Sequence, residues 1–111
     1  MTILITGATG AIGSALARRL ARQGQRLLLS GRDAARLEAL AQPIGASAVI
    51  ADLSTEDGVT TLTQWAEAHG PVTGLAHCVG STVIRPLHLS SLADWRAQFE
   101  INATTAFQLL K

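Results

Sequence analysis

Four short apolar runs alternate along the chain with stretches of helical periodicity. TILIT (2–6), RLLLS (26–30), SAVIA (47–51) and VTGLAHCV (72–79) predict strands that are apolar on both faces. Between them, residues 11–23 place Ile12, Leu16 and Leu20 at i, i+4, i+8, which predicts a helix with those three on one face. Gly24 ends that helix. DAARLEALA (33–41) predicts a second helix, with Asp33 as N-cap and Pro43 beyond its end. Residues 55–69 predict a third, capped by Thr55 or Ser54 and stopped by Gly70-Pro71. A loop over 80–91 and a helix from Leu92 to the end, capped by Ser91, complete the pattern. Strand and helix alternate throughout. That predicts an α/β domain, a parallel sheet covered by helices on both faces and joined by right-handed crossovers. Residues 1–111 read as one such domain.

The first strand runs into Gly7, Gly10 and Gly13, and a helix follows at once. Each glycine has a separate use. Gly7 permits a sharp turn at the strand's carboxyl end. Gly10 leaves backbone open to a phosphate, and Gly13 removes a side chain where helix packs on strand. The helix N-terminus then offers unpaired N–H groups and partial positive charge to an anion. A strand–glycine turn–helix at the head of a βαβ unit is the context a pyrophosphate cradle requires.

Composition narrows the remaining classes. Hydrophobic residues make up 48% of the 111 and charged residues 15%, which excludes a disordered chain. The net charge of +1 is too small to imply nucleic acid or an anionic membrane as partner. No apolar run approaches the roughly 20 residues of a membrane span. Met1 leads straight into a strand, without a signal-peptide layout, so a cytoplasmic location is expected. Cys78 is the sole cysteine, which rules out an intrachain disulfide and a multi-cysteine metal site; no metal site is expected.

Taken in order, these pieces resemble the short-chain dehydrogenase/reductase family, and the resemblance spans the whole chain. Thr6-Gly7-Ala8-Thr9-Gly10-Ala11-Ile12-Gly13 is similar to the family's cofactor-binding turn. Ser30-Gly31-Arg32 resembles the end of its second strand, and Asp52-Leu53 the pair that flanks the adenine. His77-Cys78-Val79-Gly80 occupies the place of its Asn-Asn-Ala-Gly segment, with Gly80 kept where backbone passes close to the cofactor. WRAQFEINATTAF resembles the helix that carries a catalytic-site Asn, here Asn102. Two departures stand out. TGxxGxxG replaces the commoner TGxxxGxG, with Ala11 where that pattern has its middle glycine. His77 and Cys78 replace both asparagines, and the loss of their bracing side-chain hydrogen bonds is expected.

The resemblance implies a Rossmann-type sheet of order 3-2-1-4, truncated after about four strands, the mononucleotide half of a dinucleotide-binding domain. It implies cofactor contacts at Gly7, Thr9, Gly10, Ala11, Ile12, Gly13, Arg32, Asp52, Leu53, Val79 and Gly80. An NAD site would place Asp or Glu at the end of the second strand; Gly31 and Arg32 stand there, so NADP is expected over NAD. The implied chemistry is hydride transfer between the nicotinamide and an alcohol or carbonyl substrate. A Tyr acts with a Lys as acid/base, a Ser polarises the carbonyl, and Asn102 supports a water in the relay. The chain has no Tyr, and Lys111 is its only Lys. By itself it is therefore expected to bind cofactor without turnover. Two other readings remain open: a non-catalytic NADP(H) sensor that binds a partner protein, and a nonfunctional remnant. His77, His88 and Cys78 read as packing or loop residues rather than substitutes for the Tyr, and Trp65 and Trp95 as packing residues on helices. Self-association is expected through the free edge of the fourth strand or through the C-terminal helix.

Overall fold

The computed structural model describes residues 2–81 and 84–110. Thr82 and Val83 of the expected loop, and Lys111 at the end of the expected last helix, lie outside them. The elements run β1 (Thr2–Thr6), α1 (Ala11–Arg22), β2 (Arg26–Gly31), α2 (Ala34–Ile44), β3 (Ser47–Ile50), α3 (Glu56–Ala68) and β4 (Gly74–His77). A short 3₁₀ turn at Leu87–Leu89 leads into α4 (Leu92–Phe99), a π-helical stretch (Glu100–Thr104) and α5 (Thr105–Leu110). The strands form one parallel sheet of order β3-β2-β1-β4, as the family resemblance implied.

Alternation along each strand splits the core into two layers. Ile5, Leu27 and Leu29 point to one face, where they meet Ala17 of α1 and Leu37, Leu40 and Ala41 of α2. Leu4 and Leu28 point to the other, against Val59, Leu62 and Ala66 of α3. Trp65 packs on this second layer, as expected of a core-facing Trp. Full burial of Ile5, Leu28, Leu29 and Leu62 stabilises by about 1.5–3 kcal/mol each. The predicted caps are in place: Asp33 accepts from the Arg36 N–H, Thr55 from the Gly58 N–H, and Ser91 closes a capping box with Asp94.

Several expectations are corrected. Ile12 is 77% exposed and does not share the packing of Leu16 and Leu20, its expected partners on one face. Each i to i+4 step advances about 40° around a helix, so the buried stripe drifts. Gly13 and Ala17 form its centre, Leu16 and Leu20 flank it, and Ile12 falls off its edge. Pro43 lies inside α2, in its last turn, and the helix ends at Gly45 with φ 67°. Proline has no N–H to give the Ala39 carbonyl, and the helix closes at the next residue, Ile44. β4 is shorter than the expected 72–79 run, because its pairing with β1 covers only Gly74 to His77. Trp95 is not a packing residue: it is 66% exposed and stacks on Phe99 with ring centroids 6.2 Å apart. None of the residues of α4 is buried among the described residues. The expected single final helix is interrupted at Glu100–Thr104.

Candidate functional site

The chain steps from β1 to β2 to β3 in one direction, then returns to the opposite side of β1 for β4. Open α/β sheets leave a crevice at the carboxyl ends of the strands where the order reverses in this way. A cleft of about 480 Å³ opens there.

Gly7 closes the floor between β1 and β4. Its φ is +61°, and a Cβ would stand 2.5 Å from the Cys78 carbonyl oxygen. Gly13 packs beneath the same turn, where a Cβ would collide with the Gly7 carbonyl oxygen. Gly10 is different: a Cβ there would make only a 3.4 Å contact, so packing does not demand a glycine. Gly10 is the N-cap of α1 and lines the cleft. Of α1 to α4, α1 alone starts without a side-chain cap. Its first-turn N–H groups therefore remain available to an anion.

Of the expected contact residues, Gly7, Thr9 and Gly10 form one wall of the cleft. Arg32 closes the end of β2, Asp52 and Leu53 that of β3, and Val79 and Gly80 that of β4. Ala11, Ile12 and Gly13 do not line it; they form the first turn of α1 and stand in place to contribute backbone N–H groups. Ser30 also lines the cleft, and its hydroxyl is buried without a partner. An orphaned hydroxyl, an uncapped helix start and a glycine floor fit a phosphate-bearing ligand.

Asp52 is held ionised. Its carboxylate accepts from the Ser54 hydroxyl at 2.6 Å and the Ser54 N–H at 3.0 Å. These bonds lower its pKa, a slight desolvation opposes them, and the Arg32 charge adds to the lowering. Ser54 is thereby spent on Asp52, leaving Thr55 as the cap of α3.

The expected loss of bracing at His77 is corrected. Its Nδ1 lies 2.7 Å from the Thr6 hydroxyl, which also accepts from the Cys78 N–H at 3.2 Å. The imidazole thus ties β4 to β1 in place of an Asn. Burial lowers its pKa and favours the neutral ring, and Nε2 is buried without a partner. Cys78 is half-buried at the cleft wall, whereas His88 is exposed in the 3₁₀ turn, away from the cleft lining.

Asn102 lies within the π-helical stretch, where the open backbone ladder lets its side chain reach across. Its Oδ1 accepts from the Ser81 N–H at 2.9 Å, and its Nδ2 donates to the Ser81 carbonyl at 2.7 Å and to the Gln98 carbonyl at 2.9 Å. The segment after β4 is clamped as if by a strand. Gly80 makes room for this, since a Cβ would come 3.1 Å from Asn102 Oδ1. Two residues that shape the cleft escape sequence reasoning. Arg36, in the first turn of α2, lines the cleft and donates to the Thr9 carbonyl at 3.0 Å. Thr105, fully buried, donates to the Leu53 carbonyl at 2.6 Å and so pins the β3 side of the cleft to α5. Nothing local marks either: Arg32 precedes the N-cap of α2, so no helical spacing joins it to Arg36.

The comparisons with known proteins agree with this geometry. Galactitol 2-dehydrogenase (L-tagatose-forming) of Cereibacter sphaeroides is 32% identical over 106 residues, 93% of this chain and 42% of that protein. An NADP-dependent 3-hydroxy acid dehydrogenase of Salmonella typhi is 29% identical over 109 residues, 92% of this chain and 43% of that protein. The structure of a short-chain dehydrogenase from Sphingobium yanoikuyae in complex with NADPH superposes with a TM-score of 0.88 at 28% identity, over 98% of this chain and 45% of that one. The chain thus spans less than half the length of these relatives. With the short chain dehydrogenase family model matching residues 1–111 from end to end, the chain belongs to that family.

Proposed function

We propose that residues 1–111 form the NADP(H)-binding part of an oxidoreductase that moves hydride between the nicotinamide and an alcohol or carbonyl carbon. The carrying observation is the cleft at the β1/β4 reversal, with the uncapped α1 N-terminus on one side and Arg32 on the other. The NADP dependence of the Salmonella typhi relative and the NADPH in the Sphingobium yanoikuyae structure support the cofactor class.

The dinucleotide, when bound, supplies or takes the hydride. The rest is the work of the protein's own residues. The first turn of α1 and the Gly7–Gly10 backbone receive the pyrophosphate. Asp52 and Leu53 flank the adenine. Arg32, with no carboxylate in ion-pair distance among the described residues, meets a ribose 2′-phosphate. Val79 and Gly80 border the path toward the nicotinamide, and Asn102 fixes the backbone after them through Ser81. These residues contain no Tyr, and Lys111 is their only Lys. By themselves they hold cofactor without a proton donor of tuned pKa.

Titration of the protein with NADPH and with NADH, followed by cofactor fluorescence, tests the reading. NADPH is expected to bind more tightly, and Arg32→Ala to narrow the difference. Absence of binding by both cofactors would refute it. Assay of residues 1–111 against a panel of carbonyl compounds with NADPH is expected to show no turnover.

A further inference from the structure

Arg32 is not the sole cation at the end of β2. Arg36 stands in the first turn of α2 and lines the same cleft. Its placement is built rather than incidental. Asp33 caps α2 by accepting from the Arg36 N–H, which fixes where the side chain begins. The guanidinium then donates to the Thr9 carbonyl at 3.0 Å, which fixes where it ends. Thr9 is itself held, because Gly31 has no side chain and the Thr9 methyl occupies the space a Cβ would approach at 3.4 Å. The Ala8 N–H donates to the Ser30 carbonyl at 3.0 Å and ties the same turn to β2.

The partner of Arg36 is a neutral carbonyl. Among the described residues the sole ion pair is Arg85–Asp94, so neither Arg36 nor Arg32 has a carboxylate paired with it at the cleft. A guanidinium has five N–H donors, and one bond to Thr9 leaves the others free. The two carboxylates nearby are hydrogen-bonded to neighbours in sequence, Asp33 to the Arg36 N–H and Asp52 to the Ser54 hydroxyl and N–H, and Asp52 interacts with Arg32 without forming an ion pair. What remains is a pair of fork-shaped cations without an ion-pair partner, at the position where a nucleotide's ribose would lie. That arrangement suits a doubly charged phosphate better than a hydroxyl.

We propose that Arg36 is a second discriminator for the cofactor's ribose 2′-phosphate, aimed by the Thr9 carbonyl and acting beside Arg32. The inference rests on the cofactor reading above and goes beyond it. It assigns specificity to a helix residue that also touches the glycine turn.

Dissociation constants for NADPH and NADH, measured by calorimetry on the wild-type protein and on Arg36→Gln and Arg36→Lys, test it. Arg36→Gln is expected to weaken NADPH roughly tenfold, the loss of one charge-assisted bond at an exposed site, and to leave NADH within about threefold. Arg36→Lys keeps the charge but not the fork, and is expected to fall between. Equal weakening of both cofactors would overturn the proposal, because Arg36 would then serve the shared pyrophosphate cradle through Thr9. No change in either would overturn it as well. Wild-type protein that binds NADH as tightly as NADPH would sink the proposal while the cofactor reading stood; wild-type protein that binds neither would sink both.

Discussion

Substituting Gly7 by Ala tests the architecture of the cleft most directly, and Gly24→Ala supplies its control. Both glycines have positive φ, +61° and +78°. An L-residue in that region costs about 1–2 kcal/mol at either position. The surroundings differ. At Gly24 an added Cβ meets nothing within 4 Å. At Gly7 it would stand 2.5 Å from the Cys78 carbonyl oxygen and 2.8 Å from the carbonyl carbon. Those atoms are backbone, so no side chain can swing aside; β4 must move away from β1. Overpacking of that kind adds about 1–3 kcal/mol. Gly7→Ala is therefore expected to destabilise by about 2–5 kcal/mol and Gly24→Ala by about 1–2 kcal/mol. Against a typical total of about 5–15 kcal/mol, the first is severe and the second tolerable. Urea unfolding followed by circular dichroism, with matching m-values, measures the gap. NADPH binding should be lost in Gly7→Ala and kept in Gly24→Ala. If the two variants unfold at the same urea concentration, the close approach of β1 and β4 at Cys78 does not set the floor of the cleft.

Other residues give narrower tests. Thr105→Val leaves the buried Leu53 carbonyl without its 2.6 Å donor and is expected to cost about 1–3 kcal/mol, whereas Thr105→Ser should cost less; equal urea midpoints for the valine variant and wild type would refute the role. Asn102→Ala frees the Ser81 N–H and is expected to speed amide hydrogen exchange there, with a global loss of no more than about 1.5 kcal/mol; unchanged exchange at Ser81 would contradict the clamp. His77 has a folded pKa below its unfolded value, so the unfolded chain binds the proton more readily. Its contribution is present above about pH 6.5 and is lost as pH falls through the lower folded value. Melting temperature should drop more steeply on acidification in wild type than in His77→Asn; parallel curves would exclude the histidine as a source of that dependence.

The layered fold was readable because its signals are local. Asp33, Thr55 and Ser91 are caps whose bonds close within three residues. The apolar runs of β1 to β4 needed only their own residues to be recognised, and the order of the strands followed from the family's connectivity. Ile12 misled because i, i+4 counting follows a helix face that slowly turns away. The sheet, not the helix, decides where that face stops being buried.

The site was half legible, for a related reason. The glycine turn, Arg32 and Asp52 sit at strand ends, where chain direction alone places them on one rim. The bonds that make the rim rigid join distant segments: Thr6 to His77 across 71 positions, Leu53 to Thr105 across 52, and Thr9 to Arg36 across 27. No window of sequence contains both partners. Gly80 shows the consequence. Its need for a bare backbone was foreseen and assigned to the cofactor, yet the nearest atom to its missing Cβ is Asn102 Oδ1 of its own chain. Gly80 and Asn102 are thus one device. The glycine admits the amide, the π-helical stretch delivers it, and Ser81 receives it at both its N–H and its carbonyl. A side chain at residue 80 would press on that clamp, so Gly80→Ala should loosen the Ser81 backbone much as Asn102→Ala does, and the double variant should add little to either. Additive effects on Ser81 exchange would separate the two residues and return Gly80 to the cofactor alone.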